Sequence, residues 1–238
     1  MLRLRVKAPF AAFRTFTAGS YRPTAPFLTP SAAYGLVLNV AGIESRLDDG
    51  ISPMTVMRSD LPVVELALGA VSLPGVHSLY QQLHNYPVGT SGKVRAPACK
   101  GAKYNIQPIR REFLSDLDAY VCLRGNDVLQ RHVSEGLRQG GRTMVDGKPR
   151  YGVPFLGDNS FMIDELREEA VAEKPAFWYL KLGREDNSPA LHRCRLTAWI
   201  DRANMVQTVA PLYALSEVAT PDPPVQSWTH IIPGSMKS

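Results

Sequence analysis

Leu2, Leu4 and Val6 alternate strictly with Arg3, Arg5 and Lys7 at the start of the chain. A period of two with one apolar side describes a strand that must lay that side against a cover. Its other side carries three positive charges, which repel one another unless water or an anion separates them. That side reads as a solvated sheet face or one turned toward an anion. The cover for the apolar side lies in "TPSAAYGLVLNVAGI", residues 29–43. Thr29 supplies an N-cap oxygen, and Pro30 at the first helical position forfeits no hydrogen bond. Ala33, Leu36, Val37, Val40 and Ala41 recur at three and four, the stripe of a helix packed on a sheet, and Gly42 marks the stop. This helix start presents backbone N–H groups and a positive dipole end just after Tyr21 and Arg22. The expectation is that the N–H groups of Ser31 and Ala32 hold a phosphate beside the Thr29 hydroxyl.

Residues 61–71, "LPVVELALGAV", read as a second strand, buried on both faces apart from Glu65. Residues 72–107 follow with Gly and Pro throughout and no sustained period, the texture of an irregular insertion. "REFLSDLDAYVCLRG" is a third strand, with Ala119, Val121 and Leu123 alternating against Asp118, Tyr120 and Arg124. Asn126 then caps a helix whose stripe is Val128, Leu129, Val133 and Leu137. A turn-rich passage with Arg142, Lys148 and Arg150 leads to a further short extended piece. Strand, helix, strand, insertion, strand, helix, strand predicts an α+β fold of the ferredoxin-like, RRM-like kind over residues 1–160, with the insertion at about 72–107. Beyond it "DELREEA" reads as a short acidic connecting helix. "AFWYLKLG" and "RCRLTAWID" read as strands and "VAPLYALSEV" as another extended segment. Residues 161–238 are thus expected to form a small β-rich C-terminal domain with a proline-punctuated tail.

A net charge of +5 says little until the charges are placed. Residues 93–111 hold six basic side chains and no acidic one. Lys93, Arg95, Lys100 and Lys103 there stand beside Tyr104, downstream of His77, Tyr80, His84 and Tyr86. Cations for phosphates and flat rings for bases are what single-stranded nucleic acid needs, a solvated loop being the plainer alternative. The apolar runs fall short of the roughly 20 residues that span a bilayer. The charged N-terminus lacks the apolar core of a signal peptide, so a cytoplasmic location is expected. Cys99, Cys122 and Cys194 are odd in number and widely spaced, against a disulfide framework, and burial explains at least two of them. No zinc-like spacing, nucleophile elbow, Walker loop or dinucleotide fingerprint occurs, so no metal site or cofactor is expected.

A basic first strand followed by "RPTAPFLTPSAAYGLVLNVAGI" resembles the N-terminal signature of CRISPR-associated protein family five, of the RAMP superfamily. Its members carry a "PT…F.TP…GLL…GI" stretch. "YGVPFLGDNSF", residues 151–161, is similar to that family's "PFLG" loop, and "YNIQPIRREFLSDLDAYVCLRG" to its third-strand region. The likeness spans roughly residues 1–160. It implies an RRM-like (RAMP) domain with a thumb-like insertion at residues 72–107, often followed by a small β domain. The role it implies is to cap the 5′ repeat-derived handle of the guide RNA (crRNA) in a type I Cascade complex and to help nucleate its backbone. The partners implied are that RNA, the adjacent backbone subunit (CRISPR-associated family seven) and the large subunit (family eight), with no membrane.

The RNA-binding residues expected on this reading fall in three groups. Arg14, Tyr21, Arg22, Thr29, Ser31, Ala32 and Tyr34 form a rim. Lys93, Arg95, Lys100, Lys103, Tyr104, Arg110 and Arg111 belong to the insertion and its exit. Arg142, Arg150 and Asn159 lie in or near the loop. One branch of the family cuts precursor guide RNA with a Tyr, a Lys and a His, the last two adjacent. No Lys-His dipeptide occurs here, and Arg110-Arg111 cannot act as a general base because guanidinium stays protonated. Binding without catalytic residues is therefore expected. A metal-independent endoribonuclease using His77 or His84 with Tyr80, Tyr86 or Lys93 is the alternative, and a basic α+β protein holding a small anion is a third. If Lys93, Arg95, Lys100 and Lys103 contact phosphates, replacing each should flatten the slope of log affinity against log salt by about 0.7. Titrations at several salt concentrations measure this, and an unchanged slope removes that lysine or arginine from the interface.

Overall fold

The computed structural model describes residues 1–15, 21–47, 50, 56–84, 106–139, 144–145, 148–149, 154–183, 192–201 and 205–233. In chain order its elements are β1 (Leu2–Ala11), β2 (Tyr21–Arg22), α1 (Pro30–Val40), β3 (Arg46–Leu47), β4 (Val56–Met57), β5 (Val64–Ser72) and β6 (Gly75–His84). There follow β7 (Ile106–Arg124), α2 (Asp127–Arg138), β8 (Met144–Val145), β9 (Lys148–Pro149) and β10 (Glu165–Glu168). The last strands are β11 (Phe177–Lys181), β12 (Arg193–Arg195), β13 (Leu212–Leu215) and β14 (Thr229–Ile231). The architecture is mixed α/β, mostly antiparallel sheet, with two α-helices among the described residues.

Both helices begin where the sequence places a cap. The Thr29 hydroxyl accepts from the Ala32 N–H at 3.3 Å, and the Asn126 side-chain Oδ1 from the Leu129 N–H at 2.9 Å. Helix α1 buries Ala33, Tyr34, Leu36, Val37, Leu38 and Val40. Helix α2 buries Leu129, Val133 and Gly136, and its stripe excludes Val128, which is exposed. The two helices share one core with Leu2, Leu4 and Val6, with Leu66, Leu68 and Ala70, and with Ala119, Val121 and Leu123. One side of each of three strands therefore meets the helices, as alternation requires.

The main sheet runs β10-β1-β7-β5-β11-β13-β12. Strand β7 pairs antiparallel with β1 from Leu2↔Leu123 to Ala11↔Leu114, and with β5 from Glu65↔Arg124 to Ser72↔Asp118. Its first half pairs with β6, from Gly75↔Ser115 to His84↔Ile106. Over its described part the insertion at 72–107 is thus one arm of a two-stranded ribbon, a correction to the irregular segment expected. Much of the ribbon is solvated on both faces, with Leu79 and Tyr80 on opposite sides and both exposed. A strand with no buried face leaves no alternation to read. Where ribbon becomes sheet, β7 changes step. Asp116 has φ 57°, and the flanking pairs Ala8↔Leu117 and Phe10↔Ser115 leave Pro9, which has no N–H, opposite it. The alternation flips there, so Leu114 and Leu117 both enter the core while Phe10 turns out.

The sheet's second face carries the basic side of β1, and there Arg3 and Arg5 are buried while Lys7 is partly exposed. Arg3 and Arg5 are 3% and 1% exposed. The Arg5 guanidinium grips Asp118 with two nitrogens, donates to the Tyr120 hydroxyl at 2.7 Å and stands 3.6 Å from Glu169. Burial opposes its charge, but Asp118 outweighs burial and holds the guanidinium above its ordinary value. Arg3 donates to the Pro221 carbonyl and pairs with Asp222. The anion anticipated beside these charges is the protein's own carboxylates. Trp178 stacks over Tyr120 with centroids 6.4 Å apart and joins Ala67, Cys122 and Ala176 in a second small core. Burial pushes the Cys122 thiol up to about 12 and the Cys194 thiol up to about 11, so both stay protonated at neutral pH.

The segment "DELREEA" is a strand, β10, and not the acidic helix expected. It pairs with β1 from Leu4↔Glu168 to Lys7↔Glu165. Glu165 meets Lys7 and Arg167, and Arg167 also reaches Glu169 at 2.8 Å, so cross-strand charge pairing overrides helical preference. Strands β11 and β14 pair with β5, and hydrogen bonding of the sheet continues across residue 160. A tight turn at 154–163 closes the other end of β1. Leu156 is buried, its carbonyl accepts from the Ala12 N–H at 3.1 Å, and its N–H donates to the Phe161 carbonyl at 2.9 Å.

These contacts have measurable consequences for stability. Gly157 has φ 83°, and a Cβ there would lie 1.6 Å from the Ala12 carbonyl oxygen, whereas one on Gly35 of α1 meets nothing within 4 Å. Gly157→Ala should cost on the order of 3 kcal/mol in urea unfolding, and Gly35→Ala should gain roughly 0.5–1 kcal/mol. Equal effects would contradict the packing described. Lys7 first, then Arg167, holds the Glu165 carboxyl down at about 2 against an ordinary 4.5. A carboxylate lowered on folding stabilises fully above its unfolded value and loses that contribution as pH falls through its folded one. Stability should therefore decline between pH 4.5 and about 2, and less steeply in Glu165→Gln; an identical acid limb in the variant would exclude this pair as a source.

Candidate nucleic-acid interface

The interface forms where the chain leaving β1 doubles back on β7. The Phe13 N–H donates to the Thr24 hydroxyl at 2.8 Å, and the Ala25 N–H to the Phe13 carbonyl at 2.7 Å. The Thr24 N–H donates to Glu112 of β7 at 3.1 Å. These bonds lay β2 parallel to β7 with Tyr21 in register with Arg110 and Arg22 with Arg111. Four residues singled out in the sequence are thereby brought onto adjoining strands at the root of the ribbon. The Tyr21 hydroxyl donates to Glu112, and this bond raises its pKa, so the phenol stays neutral. The Arg110 guanidinium lies 5.7 Å from the Tyr21 ring centre and donates to the Ser78 hydroxyl at 3.1 Å. Arg14, exposed, sits in the bridge with Thr24.

The turn at 154–163 meets the same strand from its other side. Arg111 pairs with Asp158 and lies 5.4 Å from the Phe161 ring centre. Burial works against the Asp158 charge, but the Ser160 N–H at 2.8 Å and Arg111 together hold that carboxyl below its ordinary value. Asn159 is exposed at the tip. Arg111 and Asn159, distant in sequence, thus belong to one locality.

The helix-start residues do not. The Ser31 N–H donates to the Thr197 carbonyl at 3.0 Å, and the Ala32 N–H is taken by Thr29. Thr29 is 3% exposed, and the buried Tyr34 hydroxyl donates to the Pro62 carbonyl at 2.7 Å. The donors expected to hold a phosphate are consumed inside the protein, which corrects that placement. Lys93, Arg95, Lys100, Lys103, Tyr104, Arg142 and Arg150 lie outside the described residues. His77 and Tyr80, paired in the nuclease reading, project from opposite faces of β6. His77 faces Phe113 while Tyr80 faces Arg110 and is 80% exposed.

Sequence reasoning passed over three rings at this place: Phe10, Phe113 and Phe161. Phe113 lies 5.5 Å from Phe10, 5.4 Å from His77 and 6.1 Å from Phe161, centre to centre. The break in alternation at Pro9 was the available signal, since it turns Phe10 away from the core. Among the described residues no group of His, Cys, Asp and Glu could hold a metal ion, and no helix is long and apolar enough to cross a membrane.

A sequence profile of the family described as CRISPR-associated protein (Cas_Cas5) matches residues 1–202. No curated protein matches the chain. Among solved structures, the chain is similar to one described as a CRISPR RNA-guided surveillance complex, with a TM-score of 0.55 at 14% identity, covering 94% of this chain and 92% of that one. Another, described as a Cas protein, is 16% identical over 92% of this chain and 94% of that one, with a TM-score of 0.46. The first likeness is one of fold, the mostly antiparallel α/β architecture described above. With the profile spanning residues 1–202, the chain belongs to the CRISPR-associated protein (Cas_Cas5) family.

Proposed function

We propose that this protein binds the 5′ repeat-derived handle of a guide RNA in a type I surveillance complex and does not cut it. The observation that carries the reading is the register of β2 on β7, which sets Tyr21 beside Arg110 on one side of the sheet and Arg22 beside Arg111 on the other, at the root of a solvated ribbon. Aromatic and guanidinium groups in alternation on a rigid sheet edge suit an unpaired, phosphate-bearing strand. Family membership supports the assignment. The order β10-β1-β7-β5, with two helices on one face, supports an RRM-like reading of this part of the sheet.

The RNA site is not the one such domains use. An RRM stacks bases on the open face of its sheet. Here that face holds Arg3, Arg5 and, stacked against Trp178, Tyr120, all nearly inaccessible. RNA is therefore referred to the ribbon root, and the ribbon's far part to the neighbouring backbone subunit. The large subunit is the second protein partner in this proposal. Leaving catalysis out is part of the proposal. It is supported for one pair of the alternative, since His77 and Tyr80 diverge and the His77 ring is engaged by Ser115 at 2.9 Å, while Tyr86, Lys93 and the His84 side chain lie outside the described residues.

Incubating the purified protein with its repeat RNA in EDTA tests the proposal. The expected result is retention of intact RNA, with Arg22→Ala and Arg110→Ala each flattening the salt dependence by about 0.7. Discrete cleavage products would replace binding by the endoribonuclease reading. Failure to bind even with partner subunits present would favour a small anionic ligand.

A further inference from the structure

A ring cluster lies on the side of the ribbon that Arg111 shares, and its rings have no part in the contacts just assigned. Phe113 is its hub. Phe10 meets Phe113 edge-on at 77°, His77 lies over it at 28°, and Phe161 closes the far side at 40°. Cross-strand register dictates this, since His77 is directly opposite Phe113 and Gly75 is opposite Ser115. A Cβ on Gly75 would stand 2.9 Å from His77 Nε2, so glycine leaves the space in which the imidazole lies flat. The Ser115 hydroxyl, 2.9 Å from the same nitrogen, fixes the ring. These rings remain in reach of solvent: Phe10 is 44% exposed and His77 is exposed, and Phe155 and Met162 on the adjoining turn are about equally open.

Exposed aromatic surface of this extent marks a contact site. Its electrostatics select the kind of contact. Arg111 stands over Phe161, and Arg22, in register with Arg111, shares its side of the sheet by the pleat. The nearby carboxylate, Asp158, is already bound to Arg111 and to the Ser160 N–H. A ligand with flat rings and negative charge matches rings flanked by guanidinium groups.

We propose that Phe10 and His77, backed by Phe113 and Phe161, form a stacking shelf for an unpaired nucleobase of the bound RNA. The inference rests on the RNA-binding reading above and adds a base-contacting subsite to it. Because a ring face accepts any base, the shelf contributes affinity with little sequence preference. Arg22 is assigned the adjoining phosphate, Arg111 being paired with Asp158. The strand therefore crosses the ribbon root with its backbone on the β2 side and one base turned onto His77 or Phe10.

The test uses the full-length protein and a short fluorescein-labelled single-stranded RNA, alongside an abasic strand of equal length and charge. Wild type should bind the abasic strand roughly tenfold more weakly. Phe10→Ala and His77→Ala should each weaken binding of the normal RNA by about the same factor. Neither should alter its salt slope, and both, while still folded by circular dichroism, should bind the abasic strand as wild type does. His77→Phe, which keeps a ring, should restore affinity. A 2-aminopurine placed in the RNA should lose fluorescence on wild type and keep it on Phe10→Ala/His77→Ala. Equal affinity of wild type for normal and abasic strands would overturn the shelf while leaving RNA binding intact. Alanine variants that bind RNA normally but lose a partner subunit would make it a protein contact and overturn it too. No binding of either strand would remove the RNA-binding reading itself.

Discussion

Strand β7 is the member on which the rest hangs. Its 19 residues reach roughly 60 Å at about 3.3 Å each, too far for one neighbour to accompany. β1 and β5 flank its second half, and β2 and β6 its first. A single strand thus serves as the centre of a packed sheet and as one arm of a solvated ribbon. The change of role needs a change of pleat, and Asp116 opposite Pro9 provides it. Pro9 opposite the left-handed residue has no N–H to leave unpaired at that step. Beyond it the core side chains and the outward rings exchange faces.

Burial of β1 on both sides then decides where a ligand can go. Its apolar side is covered by α1 and α2. Its two buried arginines are neutralised by Asp118, Glu169 and Asp222 and pack beside the Tyr120 ring. An arginine with 2% of its side chain exposed requires such partners, since an unpaired buried guanidinium is strongly unfavourable. Glu169, just past β10, helps meet that requirement for Arg5, while Glu165 of β10 pairs with Lys7 across the strands. With both faces of β1 occupied, Tyr21, Arg110 and the Phe10 ring stand at the edge instead, where β2, the ribbon and the turn at 154–163 converge.

That turn joins the two consequences. Gly157 packs on the backbone of Ala12, and Asp158 orders Arg111. The loop thereby fixes the end of β1, the guanidinium of β7 and the Phe161 ring at once. A motif noticed in the sequence for its family likeness has a mechanical role as well, holding the ribbon root rigid enough to preorganise a surface.

Features governed by neighbours in the chain were legible in the amino-acid sequence. The strand at Leu2, the caps at Thr29 and Asn126, the stripe of α1 and the family motifs depend on local spacing, hydrogen bonds a few residues long or short strings. Features governed by distant partners were not. Alternation shows that β1 has a charged side but cannot say what meets it; Asp118, which does, is 113 residues from Arg5. The free-looking N–H of Ser31 is answered by Thr197. The ribbon lacks a buried face and so leaves no period, and Phe10, Phe113 and Phe161 meet only because three separate segments do. Sequence by itself determined which segments are helix or strand wherever one side is buried, and which family they compose. Tertiary structure alone decided which charges are spent inside the protein and which remain for a ligand, because charge pairing acts through space and takes no account of position along the chain.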